Sequence, residues 1–96
     1  MPFLPTAAYS IHLQVALDNV PNTLGRLATA IGEAGANIMS MGGFDVRGDL
    51  LVNDVVANCR DEDHAAAVVT AIENQPGVEI LHWYDRTFDM HEGGKI

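Results

Sequence analysis

Residues 9–31, YSIHLQVALDNVPNTLGRLATAI, decide the fold, because the spacing of apolar residues changes within them from two to 3.6 residues. The first part alternates apolar and polar residues, which predicts a strand with one buried face. Its apolar residues are Ile11, Leu13, Val15 and Leu17. Residues 18–23 break the strand and begin a helix. Gly35 is suited to end that helix, because glycine readily adopts the left-handed conformation found just after a helix. The apolar stripe of this helix consists of Leu24, Leu27, Ala28 and Ile31.

Four more segments follow this strand and helix. Residues 37–46 and 50–59 are predicted strands, joined by a tight turn at residues 47–49. The acidic residues 61–63 start a second helix, whose apolar stripe is Ala65, Val68, Val69 and Ile72. Residues 78–84 form a fourth strand. The order β-α-β-β-α-β predicts an α+β, ferredoxin-like sandwich: a four-stranded antiparallel sheet with two helices on one face.

Three features of these segments lead to predictions about packing. Gly25, Ala28 and Gly32 form a strip of small residues, which predicts close packing of the first helix on the sheet. The segment 50–59 has apolar residues on both faces, so we expect helices to cover one face and a partner the other. The glycine pair 42–43 within the second strand indicates a β-bulge or a close backbone approach.

Composition and charge exclude several classes of protein. The net charge is −8, and the five basic residues are scattered along the chain, which argues against binding to nucleic acid or to an anionic membrane. No apolar run approaches the ~20 residues of a membrane helix. The N-terminus lacks the pattern of a signal peptide, and the single cysteine forms no internal disulfide. We therefore expect a cytoplasmic location.

The residue types that carry chemistry are present without the spacing that catalysis or metal binding requires. Ser10 and Ser40 lie in predicted strands without a nucleophile elbow, and Cys59 is interpreted as a small core residue. The four histidines lack metal-site spacing, and the acidic and histidine residues of the tail (Asp89, His91 and Glu92) are interpreted as solvated linker. The sequence predicts no catalytic residue, no metal site and no cofactor in this chain.

The connection at residues 18–25 carries a family resemblance. Asp18, Pro21 and Leu24 match the pattern Asp-x-x-Pro-Gly-x-Leu, with Asn22 in place of the glycine. Together with the order of elements, the chain resembles the ACT domain over residues 9–86; the ACT domain is a regulatory module that commonly binds amino acids. Asn19 and Asn37 match the positions that hold the ligand in serine-sensing members. The resemblance implies a ligand site at Asp18, Asn19, Val20, Pro21, Asn22, Thr23, Leu24, Asn37 and Ile38.

The separation of the two asparagines leads to a prediction about assembly. Asn19 precedes the first helix and Asn37 follows it, so about twelve helical residues place them roughly 18 Å apart. One small molecule cannot touch both within one copy. We therefore expect a homodimer whose two-fold axis brings them together around an effector, an amino acid being one candidate.

The tail resembles the start of the catalytic part of bacterial malic enzymes, which use NAD(P) and a divalent metal, Mg²⁺ or Mn²⁺. The resemblance rests on residues 85–88 and 91–96. It implies a lead-in at 1–8, a regulatory domain at 9–86 and a linker at 87–96 into a catalytic domain. The leading hypothesis is an allosteric sensing domain of such an enzyme. The alternatives are a dimerisation module without a ligand, which Asn22 favours, and an acylphosphatase-like enzyme, which Asp18 disfavours because an arginine would be needed there.

Overall fold

The computed structural model describes residues 9–85, which form one sheet and two helices. The elements are β1 (Tyr9–Asp18), α1 (Thr23–Glu33), β2 (Asn37–Arg47), β3 (Leu50–Cys59), α2 (Glu62–Glu73) and β4 (Val78–Asp85). All paired strands are antiparallel, in the order β2-β3-β1-β4, so β1 and β3 are central and β2 and β4 are edges. The predicted fold class is confirmed. The predicted lead-in at 1–8 and linker at 87–96 lie outside the described residues.

The core lies between the helices and one face of the sheet. The alternating residues of β1 are the centre of this layer, and both helices place their apolar stripes against it. Its fully buried members include Ile11, Leu13, Val15, Leu27, Ile31, Val68 and Ile72. Burying side chains of this size contributes about 1.5–3 kcal/mol each, so this layer is the main source of stability.

The helix ends follow from local chemistry. Asp61 starts α2, because its carboxylate accepts a hydrogen bond of 2.8 Å from the main-chain N–H of His64. Gly35, with φ of 90°, follows the end of α1 as the sequence predicts. The His64 ring joins the two helices: its Nδ1 accepts from the N–H of Arg60 at 2.9 Å, and its Nε2 lies 2.7 Å from the carbonyl oxygen of Ala34.

The prediction about the strip of small residues is wrong. Gly25 and Gly32 do not face the sheet; both are exposed, and a Cβ at Gly32 would meet open space. A partner on the second face of β3 stays a prediction, but four of the seven large apolar side chains exposed in residues 9–85 lie on β2. β2 is exposed along nearly its whole length. In β3, by contrast, six of the ten residues are buried, and a seventh, Leu51, packs against the core. β2 occupies an edge, and a period-two pattern does not distinguish edge strands from central ones.

The glycine pair in β2 confirms the predicted irregularity. The pairing of β2 with β3 shifts register between Gly42 and Asp45, and again between Ile38 and Ser40. Gly43 has φ of 68°, and a Cβ there would lie 2.7 Å from a carboxylate oxygen of Asp54. Only glycine tolerates both the conformation and the close approach.

Candidate functional site

The β1–α1 connection is held by backbone hydrogen bonds to two neighbouring turns. The N–H of Asp18 donates to the carbonyl of Gly77 at 2.8 Å, and the N–H of Asn19 donates to the carbonyl of Asp49 at 2.9 Å. The hydroxyl of Thr23, which is almost fully buried, donates to the carbonyl of Val20 at 3.3 Å. These bonds fix the connection beside the β2–β3 hairpin, at the end of the sheet where β1 ends.

Asn22 has an unusual conformation for its position at the start of α1. Its φ is 80°, in the left-handed region, and its side chain makes no capping bond to the helix. Its Oδ1 instead lies over Gly25, 3.1 Å from where a Cβ on that residue would be. The left-handed conformation explains why glycine suits this position in the pattern Asp-x-x-Pro-Gly-x-Leu, and asparagine is among the residues that tolerate it best.

The predicted ligand residues fall into two separate groups. Residues 18–24 lie at the end of β1, where Asp18 is paired with Leu50. Asn37 and Ile38 lie at the opposite end of the sheet, where Asn37 is paired with Asn58 on β3 and Asn58 in turn with Ser10 on β1. Eight residues of extended strand separate the two ends by about 26 Å. One chain therefore does not bring Asn19 and Asn37 together.

Two of the concave surfaces beside the β1–α1 connection bear on the candidate site. The first, of about 400 Å³, is lined by Asp18, Asn19, Val20, Gly48 and Asp49, and is acidic. The second, of about 240 Å³, is a groove along α1 that we call the α1 groove. It is lined by Asn22, Gly25, Arg26, Thr29, Ala30, Glu33 and Gln75. Helical spacing places Arg26 and Glu33 away from the apolar stripe of α1, but it does not reveal that the α2–β4 turn places Gln75 beside them.

The sheet face opposite the helices carries a second polar cluster that sequence reasoning missed. The hydroxyl of Tyr84 lies 2.5 Å from Nδ1 of His12, whose Nε2 lies 3.6 Å from a carboxylate oxygen of Asp54. The pairing of β1 with both β3 and β4 brings these three residues together. Period-two alternation places His12 on this face, but the register that adds Tyr84 depends on a bulge in the pairing of β1 with β4.

The remaining candidates for chemistry show no arrangement for it within residues 9–85. Cys59 is fully buried, and burial raises its pKa to about 11, so its thiol is protonated at neutral pH. The described part of the chain contains no group of three metal-ligating side chains. Asp89, His91 and Glu92 lie outside it. Among the described helices, none is long and apolar enough to cross a membrane.

The fold and the position of the site define the class to which the chain belongs: a ferredoxin-like α+β domain with a candidate site where β1 meets α1. No family model matches the chain. It is similar to the NAD-dependent malic enzyme of Geobacillus stearothermophilus, with 30% identity over 90 residues, or 94% of this chain and 19% of that protein. It is also similar to NAD-dependent malic enzyme 1 of Bacillus subtilis (strain 168), with 29% identity over 85 residues, or 88% of this chain and 19% of that protein. The chain thus spans about a fifth of the length of these relatives.

Proposed function

We propose that this chain is a ligand-sensing regulatory domain of the ACT kind within an NAD-dependent malic enzyme, and that it binds an amino-acid-like effector between two copies. In this proposal the NAD(P) and the Mg²⁺ or Mn²⁺ of the parent enzyme are bound outside the chain, and the protein is cytoplasmic. Similarity to two malic enzymes along nearly the whole chain supports the choice of parent. The chain supplies binding and assembly rather than catalysis.

The single observation that carries the proposal is the hydrogen bond from Asn19 to Asp49, which holds the β1–α1 connection at the hairpin end of β2. β2 is an edge strand with unpaired backbone groups, and such edges accept another strand. If two copies pair antiparallel through β2, the two-fold axis places the partner's Asn37 at this same hairpin end. Asn19 and the partner's Asn37 then lie at the same end of the joined sheets, one on each side of the β2–β3 hairpin, although within one chain they lie about 26 Å apart.

The exposed side chains of β2 also favour pairing of two copies. Ile38, Met39, Phe44 and Val46 are 36%, 55%, 52% and 63% exposed. Four large apolar side chains on one edge form a patch that a soluble protein normally covers. Pairing of two copies through β2 covers the apolar patch of each copy and removes the free edge of each sheet.

The chemistry of the interface suits a small polar effector. The start of α1 offers backbone N–H groups and the positive end of the helix dipole, which favour a carboxylate. Asparagine side chains donate and accept, so they bind an ammonium or hydroxyl group without adding charge. An effector regulates only if it binds two arrangements of the dimer with different affinity, and such coupling is typically 1–3 kcal/mol.

The experiment combines sedimentation with calorimetric titration of amino acids and central metabolites. The wild-type chain is expected to sediment as a dimer, and Val46→Lys as a monomer, because a charge on this edge opposes pairing. Leu81→Lys is the matched control: Leu81 is 41% exposed on β4, the other edge strand, and this variant is expected to remain a dimer. A monomeric wild-type chain at the concentrations used for titration refutes the interface site.

The alternative, a dimerisation module without a ligand, is favoured by one observation. The concave surface beside Asn19 carries the carboxylates of Asp18 and Asp49, which repel a ligand carboxylate. A dimer that binds no member of the panel at millimolar concentration supports this alternative. A dimer that binds one, with loss of binding in Asn37→Ala, supports the sensor.

A further inference from the structure

We propose that the α1 groove is a second binding site, complete within one chain, for a small carboxylate that also carries an amino group. The groove runs along the solvent side of α1 and is closed by the α2–β4 turn through Gln75. Its volume of about 240 Å³ accommodates a molecule the size of an amino acid. It goes beyond the proposed interface site, because none of its lining residues comes from β2.

Arg26 is the main reason to expect a carboxylate. Its Nε is fully buried without an acceptor in the described part of the chain, and its Nη2 makes only a long bond of 3.4 Å to the hydroxyl of Thr23. Arg47, by contrast, binds the carboxylate of Asp45 at 2.8 Å. The chain has 13 acidic residues, yet none described lies within ion-pairing distance of Arg26. A planar guanidinium in a groove is suited to bind a carboxylate through two parallel hydrogen bonds.

Asn22 gives an independent indication at the same end of the groove. Asparagine tolerates the left-handed region because its short polar side chain can make a local hydrogen bond. The side chain of Asn22 makes no capping bond to the helix and lies over Gly25 instead. The amide therefore stands at the rim of the groove, beside Arg26, with hydrogen-bonding capacity available for a ligand.

Glu33 determines what the far end of the ligand carries. It lies seven residues beyond Arg26 on the same helix face, about 10.5 Å along the axis, and closes the opposite end of the groove. A second carboxylate at that end meets the like charge of Glu33, whereas an ammonium group meets an opposite one. The groove therefore selects an amino acid over a dicarboxylate of equal length.

The test compares γ-aminobutyrate with succinate, which have the same four-carbon length and differ in the group at one end. Calorimetric titration of the full chain is expected to show tighter binding of γ-aminobutyrate. Arg26→Gln is expected to weaken it by about tenfold or more, because the charged fork is lost. Arg47→Gln removes the same charge outside the groove and is expected to leave the affinity unchanged. Glu33→Gln is expected to reduce the difference in affinity between γ-aminobutyrate and succinate.

The monomeric variant Val46→Lys separates this proposal from the interface site. A groove within one chain is expected to bind γ-aminobutyrate equally well in that variant, and urea unfolding without ligand checks that each variant is folded. Loss of binding in Val46→Lys, or equal affinity of Arg26→Gln and wild type, overturns the groove site and leaves the interface site standing. No binding of either probe by wild type at about 10 mM also overturns it, as does equally tight binding of inorganic phosphate, which indicates an unselective anion site.

Discussion

Asn53 is expected to make the folded protein less stable than an apolar residue would, so replacing it with leucine should raise stability. Asn53 is fully buried on the core face of β3, where it is paired with Val15 of β1. Neither its side-chain oxygen nor its nitrogen has a hydrogen-bond partner in residues 9–85. Burying a polar group without a partner costs about 1–3 kcal/mol relative to leaving it in water.

Leucine branches at the same carbon as asparagine, so Asn53→Leu replaces the two unpartnered atoms with methyl groups in nearly the same place. The free energy of unfolding is expected to rise by about 1–3 kcal/mol, less any strain from the slightly larger side chain. For a domain of this size such a change is a large fraction of total stability, which is typically 5–15 kcal/mol. Urea denaturation followed by the fluorescence of Trp83, the single tryptophan, measures it directly.

Asn58 provides the matched control on the same strand. It is 4% exposed, but its Oδ1 accepts a hydrogen bond of 2.7 Å from the hydroxyl of Ser10. Asn58→Leu removes that acceptor and is expected to lower stability by about 0.5–2 kcal/mol. The two substitutions are chemically identical and should therefore have opposite signs. If Asn53→Leu destabilises the protein as Asn58→Leu does, the reasoning from hydrogen-bond satisfaction is wrong.

Two further predictions concern other buried groups. His64→Ala removes the ring that bonds to the N–H of Arg60 and to the carbonyl of Ala34, so it is expected to lower the free energy of unfolding by about 2–4 kcal/mol in the same urea assay. His82→Ala, on the open sheet face, is the control and is expected to lower it by less than about 1 kcal/mol. Similar losses in the two variants would contradict the role of His64 in joining the helices. Burial raises the pKa of Cys59 to about 11, so the thiol of the unfolded chain loses its proton first as pH rises. The free energy of unfolding is therefore expected to fall between about pH 9 and 11, by at most 1.4 kcal/mol per pH unit, and Cys59→Ala should reduce this dependence on pH. If the dependence is unchanged in Cys59→Ala, it belongs to other groups such as Tyr9, whose pKa burial also raises.

The order and bounds of the elements could be predicted because each one carries its own local signal. The stripe of α2 is an example: Ala65, Val68, Val69 and Ile72 are all buried as their spacing predicts. Helical spacing could also have excluded the wrong prediction about Gly25 and Gly32. Gly25 and Leu27 are two residues apart, or about 200° around a helix, so a helix that buries Leu27 must expose Gly25. The angular position of a residue on the helix, rather than its small size, indicates whether it packs on the sheet.

The candidate site was less predictable because its parts come from different elements. The residues 18–24 could be placed at a helix start, and the separation of Asn19 from Asn37 followed from chain geometry. The α1 groove could not be predicted, because it depends on where the α2–β4 turn places Gln75. The same limit applies to Asn53, whose place in β3 predicts burial but not the absence of a nearby partner.

The two proposed sites share the β1–α1 connection, and this has a consequence for regulation. The C-terminal end of α1 is tied to the start of α2 through His64, whereas its N-terminal end carries Asn22 and the two longer hydrogen bonds from Thr23 to Val20, of 3.3 and 3.4 Å. A ligand that binds Asn22 and Arg26 therefore acts on the end of α1 that adjoins the β1–α1 connection. That end continues into Asn19, whose bond to Asp49 fixes the connection against the β2–β3 hairpin. Because the groove is expected to bind γ-aminobutyrate equally well in the monomeric variant and in the dimer, linkage requires that groove occupancy leave the dimerisation constant unchanged.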